Sequence, residues 1–331
     1  MTLLSGCWAF AASGYRGVAS DHFDGERFHN ARPLDLPNFS DMLRWQRNRD
    51  PGPWRDWTEA EPGPAPPEAA DDLRVTFVNH ATVLIQTDGV NILTDPIWSR
   101  RASPVSWAGP RRRRPPGIRF EDLPPIHLVL VSHNHYDHMD LPTLKRLHRE
   151  HRPRFVVGLG NRATLESKGI YGVAELDWWQ SVTVAEGLRV TMVPAQHFSS
   201  RGITDRFATL WGGYVLEGRA GRVYFAGDTG MGPHFRQIRQ RLGPPRLAIL
   251  PIGAFRPRWF MKTMHISPDE AVQAHELLGA RTTVAMHFGT FRLGDDGQDE
   301  PVRRLRQAMR ERGVSDERLW VLGFGEGRDV P

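Results

Sequence analysis

The chain has 331 residues, 40% hydrophobic and 24% charged, a globular balance that excludes a disordered or fibrous protein. Its single cysteine, Cys7, leaves no partner for an intrachain disulfide and no cysteine-rich zinc site, and no run approaches the ~18 apolar residues that cross a bilayer. The net charge of +5 would suit a polyanion, but all except three of the 43 basic residues are arginines, interspersed with acids, so charge alone assigns no such role.

Residues 1–12 are apolar but lack a basic start and are too short for an ordinary signal peptide. Leu4-Ser5-Gly6-Cys7 resembles a bacterial lipobox, which could be processed only if the true start lay upstream; a frayed terminus is the plainer reading. Residues 1–72 read as an N-terminal extension packed on a core, with a short helix after Ser40 and a proline-rich, extended stretch over 51–67.

From residue 73 to 331 the pattern is that of a folded domain. Strands are expected at 74–78 and 82–86, then, across the hairpin turn Asp88-Gly89, at 90–94. Further short apolar runs follow at 127–131, 154–157, 188–193, 223–226, 247–251 and 283–286. Helices separate the later strands. Ser267-Pro268-Asp269-Glu270 is a capping box closed by Gly279, and a second helix over 300–312 ends at Gly313. The alternation predicts an α/β protein with sheets covered by helices.

Histidine carries the strongest signal. Directly after the strand at 127–131 stands Ser132-His133-Asn134-His135-Tyr136-Asp137-His138, four metal-competent groups at the end of a strand, where side chains are presented together. Neutral imidazole suits zinc, and a carboxylate suits zinc or a harder ion. A lone histidine is usually structural; H-x-H-x-D-H is not. His197, Asp228 and His287 each follow another apolar run where a loop begins.

This order of residues resembles the metallo-β-lactamase superfamily, which implies an αβ/βα sandwich with a dinuclear metal site at one edge of its two sheets. Carried over, the resemblance gives one metal to His133, His135 and His197, the other to Asp137, His138 and His287, and makes Asp228 the bridge between them. The flanks Thr94-Asp95-Pro96-Ile97-Trp98, Asp177-Trp178-Trp179, Phe225-Ala226-Gly227-Asp228-Thr229-Gly230 and Pro257-Arg258-Trp259-Phe260-Met261-Lys262 look like the branch of N-acylphosphatidylethanolamine-hydrolysing phospholipase D. Bacterial RomA-like metal-dependent hydrolases are similar too. The resemblance spans about residues 73 to 325.

What the branch implies is a zinc-dependent phosphodiesterase with two Zn2+ per chain, Mn2+ or Fe2+ being alternatives. It would attack a phospholipid phosphorus with a hydroxide held between the metals and positioned by Asp228. His265 matches a family histidine near the substrate phosphate and would be a hydrogen-bond donor or general acid; otherwise it stabilises the entry to the helix after Ser267. The alternatives are hydrolysis of a small soluble lactone or cyclic phosphodiester and, from another class, a non-catalytic envelope lipoprotein with a relic site. No nucleic-acid module is visible and no nucleic-acid partner is expected. Peripheral membrane contact and a homodimer are expectations by analogy. The expected location is cytoplasmic or peripheral membrane, or the envelope if a lipidated start exists.

Other residues carry less. His80 reads as a core histidine or one that orients a ligand, with Asn79 where relatives carry glycine. His148, His151 and His275 are expected to be exposed on helices, and the Arg111-Arg112-Arg113-Arg114 run is expected to be solvated, headgroup docking being its alternative. Trp98, Trp107, Trp178, Trp179, Trp211 and Trp259 could line either an acyl groove or the core. Met264, before His265, stands where relatives can carry a polar residue.

Overall fold

The buried strand residues sort by parity. In β4 (Leu128–Val131), Leu128 and Leu130 belong to one buried cluster and Val129 and Val131 to another, as the two-residue period of a strand requires. A strand apolar on both faces must be covered on both. The protein, a computed structural model in which residues 12–331 are described, achieves this with two seven-stranded sheets and helices outside them. Cys7 and the lipobox-like segment lie outside the described residues.

The first sheet runs β14 (Gly327–Asp329), β1 (Arg74–Asn79), β2 (Thr82–Thr87), β3 (Val90–Thr94), β4, β5 (Arg154–Gly158), β6 (Val173–Leu176). The second runs β13 (Leu319–Trp320), β12 (Thr282–Met286), β11 (Leu247–Pro251), β10 (Gly221–Phe225), β9 (Gly213–Gly218), β8 (Leu188–Val193), β7 (Ser181–Ala185). Each sheet has an antiparallel part joined by hairpins and a parallel part, β3 to β6 in one and β10 to β13 in the other. The parallel parts need crossover helices. Leu144 and Leu147 of α2 (Leu141–Glu150) and Leu165 of α3 (Arg162–Glu166) pack with Val129, Val131 and Phe155 on the first sheet. α4 (His234–Leu242), α6 (Pro268–Leu278) and α7 (Glu300–Arg312) pack with the second sheet. The expected sandwich is the observed one.

Local signals explain most of these elements. At the start of α6, the Ser267 hydroxyl accepts from the Glu270 N–H at 3.2 Å and the Glu270 carboxylate from the Ser267 N–H at 2.8 Å, and Gly279 ends the helix at φ 63°. The strand β9 was not legible. It begins at Gly213, the second residue of a Gly212-Gly213 pair that reads as a loop, yet a Cβ on Gly213 would lie 2.6 Å from the Phe225 carbonyl, so glycine is what lets β9 lie this close to β10.

Ahead of β1, Phe23 and Phe28 are buried in the larger core. From α1 (Phe39–Arg47), the Trp45 indole stacks on Phe260 of α5 (Arg258–Met261) and donates to Asp295 at 2.8 Å. The proline-rich stretch is extended, its Thr58 N–H donating to the Arg113 carbonyl at 2.8 Å.

Three expectations are corrected. The Arg111 to Arg114 run is not a solvated loop. Arg112 is 3% exposed and donates to Asn79 Oδ1 at 3.0 Å and the Ile97 carbonyl at 2.8 Å, Arg113 pairs with Asp56 at 3.0 Å, and Arg114 lies over the Phe324 ring. Backbone carbonyls left open by the chain around Ile97 need donors, and a guanidinium supplies several at once. His275 is buried in α6 against Thr283 Oγ1 at 2.8 Å, because its helix position faces the sheet. His148 and His151 are half-buried; the His151 Nδ1 accepts from the Ile126 N–H at 3.2 Å. Of the tryptophans, Trp178 and Trp211 are core residues, whereas Trp107 and Trp259 are exposed.

Candidate metal centre

Every sequence-predicted site residue lies at the same edge of the sandwich. In the first sheet, the β1–β2 turn carries His80, β3 leads into Asp95, and β4 runs into His133, His135, Asp137 and His138. In the second, β8, β10 and β12 run out to His197, Asp228 and His287. The backbone is strained there: His80, Asp95, Ala254 and His287 have φ of 50°, 35°, 54° and 64°. The His287 N–H donates to the His80 carbonyl at 2.6 Å, joining the sheets at this edge. Gly227 has φ 60°, and a Cβ there would lie 2.6 Å from that of Ser132.

The imidazoles form two groups. In one, His135 Nδ1 lies 2.8 Å from His133 Nε2 and 3.3 Å from His197 Nε2. Their outward nitrogens are tied down, His133 Nδ1 to Ser132 Oγ at 2.8 Å and His197 Nδ1, as a donor, to the Met264 carbonyl at 3.0 Å. In the other, Asp137 Oδ2 lies 2.8 Å from His80 Nε2, 3.2 Å from His138 Nε2 and 3.4 Å from His287 Nε2. Asp228 stands between. Its Oδ2 is 3.1 Å from His138 Nε2 and 3.9 Å from His197 Nε2, and its Oδ1 is 3.2 Å from His287 Nε2.

The electrostatics of the groups differ. Burial pushes His133 and His197 well below the usual histidine range and His135 down to about 4, so all three are neutral. Burial also opposes charge on His138 and His287, but the carboxylates around them outweigh it. His138 is raised well above its ordinary value, chiefly by Asp228 and Asp137, and His287 to about 9. Burial would raise Asp137 and Asp228; the histidines beside them, His138 first, hold both well below the ordinary carboxylate range.

These donors fit a metal. His138 gives its Nδ1–H to Asp95 at 2.6 Å, so its Nε2 faces two carboxylates with no hydrogen bond of its own. His287 Nε2 and Asp228 Oδ1 are likewise buried without a hydrogen bond. Lone pairs converging on anions in a dry site call for a cation, either protons or a metal ion. The sets His133–His135–His197 and His80–Asp137–His138–His287 each bring ligand atoms within 4.8 Å of one another, as does His197–Asp228–His265.

His265 reaches the centre, with Nδ1 3.8 Å from Asp228 Oδ2, so it does more than precede α6. Burial lowers its pKa to about 4. Met264, beside it, is buried with Trp45, Phe260 and Met261.

Asp95, in the motif Thr94-Asp95-Pro96-Ile97-Trp98, braces both groups. Its Oδ1 accepts from the Ser132 N–H at 2.7 Å and its Oδ2 from Ser132 Oγ and His138 Nδ1, both at 2.6 Å. It therefore orients His138 directly and His133 through Ser132. The legible signal is a carboxylate at the end of an apolar strand, the same signal that singles out Asp228.

Sequence and fold both match known proteins. Residues 90–288 match the beta-lactamase superfamily domain. The chain is 42% identical over 266 residues to N-acyl-phosphatidylethanolamine-hydrolyzing phospholipase D 1 of Caenorhabditis elegans, covering 77% of this chain and 75% of that one. It is 39% identical over 108 residues to the outer membrane protein RomA of Klebsiella pneumoniae, 33% of this chain and 80% of RomA. Among solved structures, a possible metal-dependent hydrolase from Veillonella parvula superposes with a TM-score of 0.62 at 16% identity over 78% of this chain and 99% of that one, which supports the fold alone. The chain is thus a metal-dependent hydrolase of the metallo-β-lactamase superfamily, belonging to the branch of the N-acylphosphatidylethanolamine-hydrolysing phospholipases D and RomA.

Proposed function

We propose that this protein is a zinc-dependent phosphodiesterase that cleaves N-acylphosphatidylethanolamine-type phospholipids into phosphatidic acid and N-acylethanolamine. The observation that carries the reading is Asp228, whose two oxygens face both histidine groups. His133, His135 and His197 would hold one ion, Asp137, His138 and His287 the other, with Asp228 shared. Bound ions of this kind supply Lewis acidity at phosphoryl oxygens and make water a competent nucleophile near neutral pH. The choice of lipid rests on the similarity to the Caenorhabditis elegans phospholipase.

The chain's own residues do the positioning. Asp95 and the Met264 carbonyl hold His138 and His197 with one nitrogen turned inward. Asp228 fixes the line between the two groups along which water approaches phosphorus. The water oxygen adds to phosphorus as the bond from phosphorus to the ethanolamine oxygen breaks, and the proton that the water loses is balanced by the one the departing alkoxide takes up. His265, kept neutral by burial, suits donation of one N–H to a phosphoryl oxygen better than delivery of a proton to the leaving alcohol.

Mass spectrometry of products from N-acylphosphatidylethanolamine in detergent micelles tests this. The zinc-loaded protein should release both products and Asp228→Asn should release neither. Intact lipid, with an aryl phosphodiester or a lactone still turned over, would move the function to a small soluble substrate. His265→Ala should lower turnover with metal content intact; unchanged turnover removes its assignment.

A further inference from the structure

Strand β8 ends at Val193, paired with Gly213 of β9, and the chain beyond it must present His197 to the metal centre. A backbone that runs past the end of its sheet loses the ladder that would pair its N–H and C=O groups. Gln196 recovers both next to Asp228: its N–H donates to Thr229 Oγ1 at 3.0 Å, and its carbonyl accepts from the Gly230 N–H at 2.8 Å. For His197 both groups go to one side chain from the far N-terminal part of the sequence. Asn30 Oδ1 accepts from the His197 N–H at 3.0 Å, and Asn30 Nδ2 donates to the His197 carbonyl at 2.8 Å. A carboxamide carries the same donor and acceptor as a peptide unit, so Asn30 stands in for the missing strand neighbour.

Asn30 is itself held in place. Residues 20–30 form a loop closed by the His29 N–H, which donates to the His22 carbonyl at 2.8 Å, and by an antiparallel bridge between the buried Phe23 and Phe28. His22 stacks on Trp178 with ring centroids 4.5 Å apart, and its Nε2 lies 2.7 Å from Asp177 Oδ1, which pins the loop to the β6–β7 connection. The Phe28 N–H donates to the Phe207 carbonyl at 2.9 Å, pinning it also to the segment after His197. An amide on a loop fixed at two points gives up little further freedom when it engages His197. The ring of His197 is held from elsewhere, by the Met264 carbonyl. His133 and His135 share one segment and take their placement from β4, whereas His197 arrives from the other sheet. Its anchor therefore sets whether the three imidazoles converge.

We propose that Asn30 is a positioning residue of the metal centre, holding the His197 main chain so that the loop over residues 20–30 completes the His133–His135–His197 group without supplying a ligand to it. The inference rests on His197 being a ligand, as assigned above, and is independent of which phosphodiester is cut. The geometry makes the effect one-sided. Among the described residues, the Asn30 side chain bonds His197 alone, so its loss should loosen one ion and spare the one held by Asp137, His138 and His287. Aspartate is isosteric and keeps the acceptor for the His197 N–H, but it lacks the N–H donor and sets a negative charge against the His197 carbonyl.

The test is titration of the metal-free full chain with zinc against a chromophoric chelator. Cobalt(II) absorption spectra, hydrogen exchange in the peptide carrying His197 and thermal unfolding are followed in parallel. Asn30→Ala and Asn30→Asp should each weaken one equivalent of zinc by about ten-fold or more, leave the other unchanged and alter the cobalt spectrum. Asn30→Ala should also speed exchange at the His197 amide, and the isosteric aspartate carries the test if alanine unfolds the loop. His197→Ala should lose the same equivalent outright. Asn38→Ala, which removes the cap of α1 in the same N-terminal region, should lower the unfolding temperature and leave both equivalents bound as in wild type. Asn30 variants that bind zinc like wild type, while His197→Ala falls short by one equivalent, overturn the proposal and leave the ligand assignment standing. Equal weakening of both equivalents, or the same weakening in Asn38→Ala, makes Asn30 a general stabiliser of the fold and overturns it too. A His197→Ala protein that keeps both equivalents removes the ligand assignment and the proposal with it. None of these readouts uses turnover, so a chain that binds zinc yet leaves N-acylphosphatidylethanolamine intact refutes the substrate and not the role of Asn30.

Discussion

The two halves of the metal centre use the same side chain to opposite electrostatic ends. His133, His135 and His197 meet one another across 2.8 and 3.3 Å, with the Asp228 carboxylate no nearer than 3.9 Å to His197, and burial leaves them neutral. His138 and His287 face Asp137 and Asp228 and hold protons instead. The first group offers free lone pairs at neutral pH; the second must give up protons before its nitrogens can bind a cation. Charge partners, rather than residue type, thus decide what a buried histidine is ready to do.

The comparison can be broken most directly by deleting one member of each half. His133→Ala and His287→Ala should each reduce turnover by about a thousand-fold or more, because an ion on one side alone cannot orient both attack and departure at phosphorus. Metal analysis by mass spectrometry should show each variant losing about one equivalent relative to wild type. Equal metal content in both variants and the wild type would mean that the two groups are not separate sites.

Asp95→Ala attacks the brace common to both halves. Its loss frees His138 Nδ1 and Ser132 Oγ, so metal affinity should fall about 10- to 100-fold. The unpaired buried groups should also cost about 1–3 kcal/mol of stability in denaturant unfolding. A loss confined to one equivalent of metal would show that the route through Ser132 to His133 does not matter.

The charge difference itself is testable by loading the protein with zinc at graded pH. His287, raised to about 9, binds a proton that the metal must displace, so occupancy of its half should rise with pH across neutrality. The neutral half, with His135 at about 4, should load with little pH dependence above pH 6. Two titrating equivalents of identical pH dependence would contradict the distinction.

The smallest effect lies outside the centre, at a histidine neutralised chiefly by burial, with the Arg318 charge adding to it. His275 is lowered to about 4 in the fold against an unfolded value near 6.5. Its stabilising contribution is therefore present above pH 6.5 and is lost as the pH falls toward 4, where the unfolded chain takes up the proton first. His275→Gln should flatten the loss of stability over that window, by up to one proton in the slope, as read by urea unfolding at each pH. An unchanged slope would locate the acid sensitivity in the carboxylate-rich half.

By itself, the sequence determined the α/β class, nearly all the strands that end at the site, and each residue of the two histidine groups except His80. These signals are local: apolar runs of strand length, a capping box, and metal-competent side chains where the runs stop. The tertiary structure alone decided what each of those residues faces. Asp95 and His138 are 43 positions apart and meet at 2.6 Å; His80 and Asp137 are 57 apart and meet at 2.8 Å. Arg112 reads as solvated in a basic run and is buried in the fold because carbonyls near Ile97 require its donors. α1 reverses the usual rule, turning Phe39 and Leu43 to solvent, because only Trp45 finds an apolar partner in Phe260. Periodicity and punctuation travel with the chain, whereas burial, charge partners and the protons they hold arise only when distant strand ends are brought to one edge.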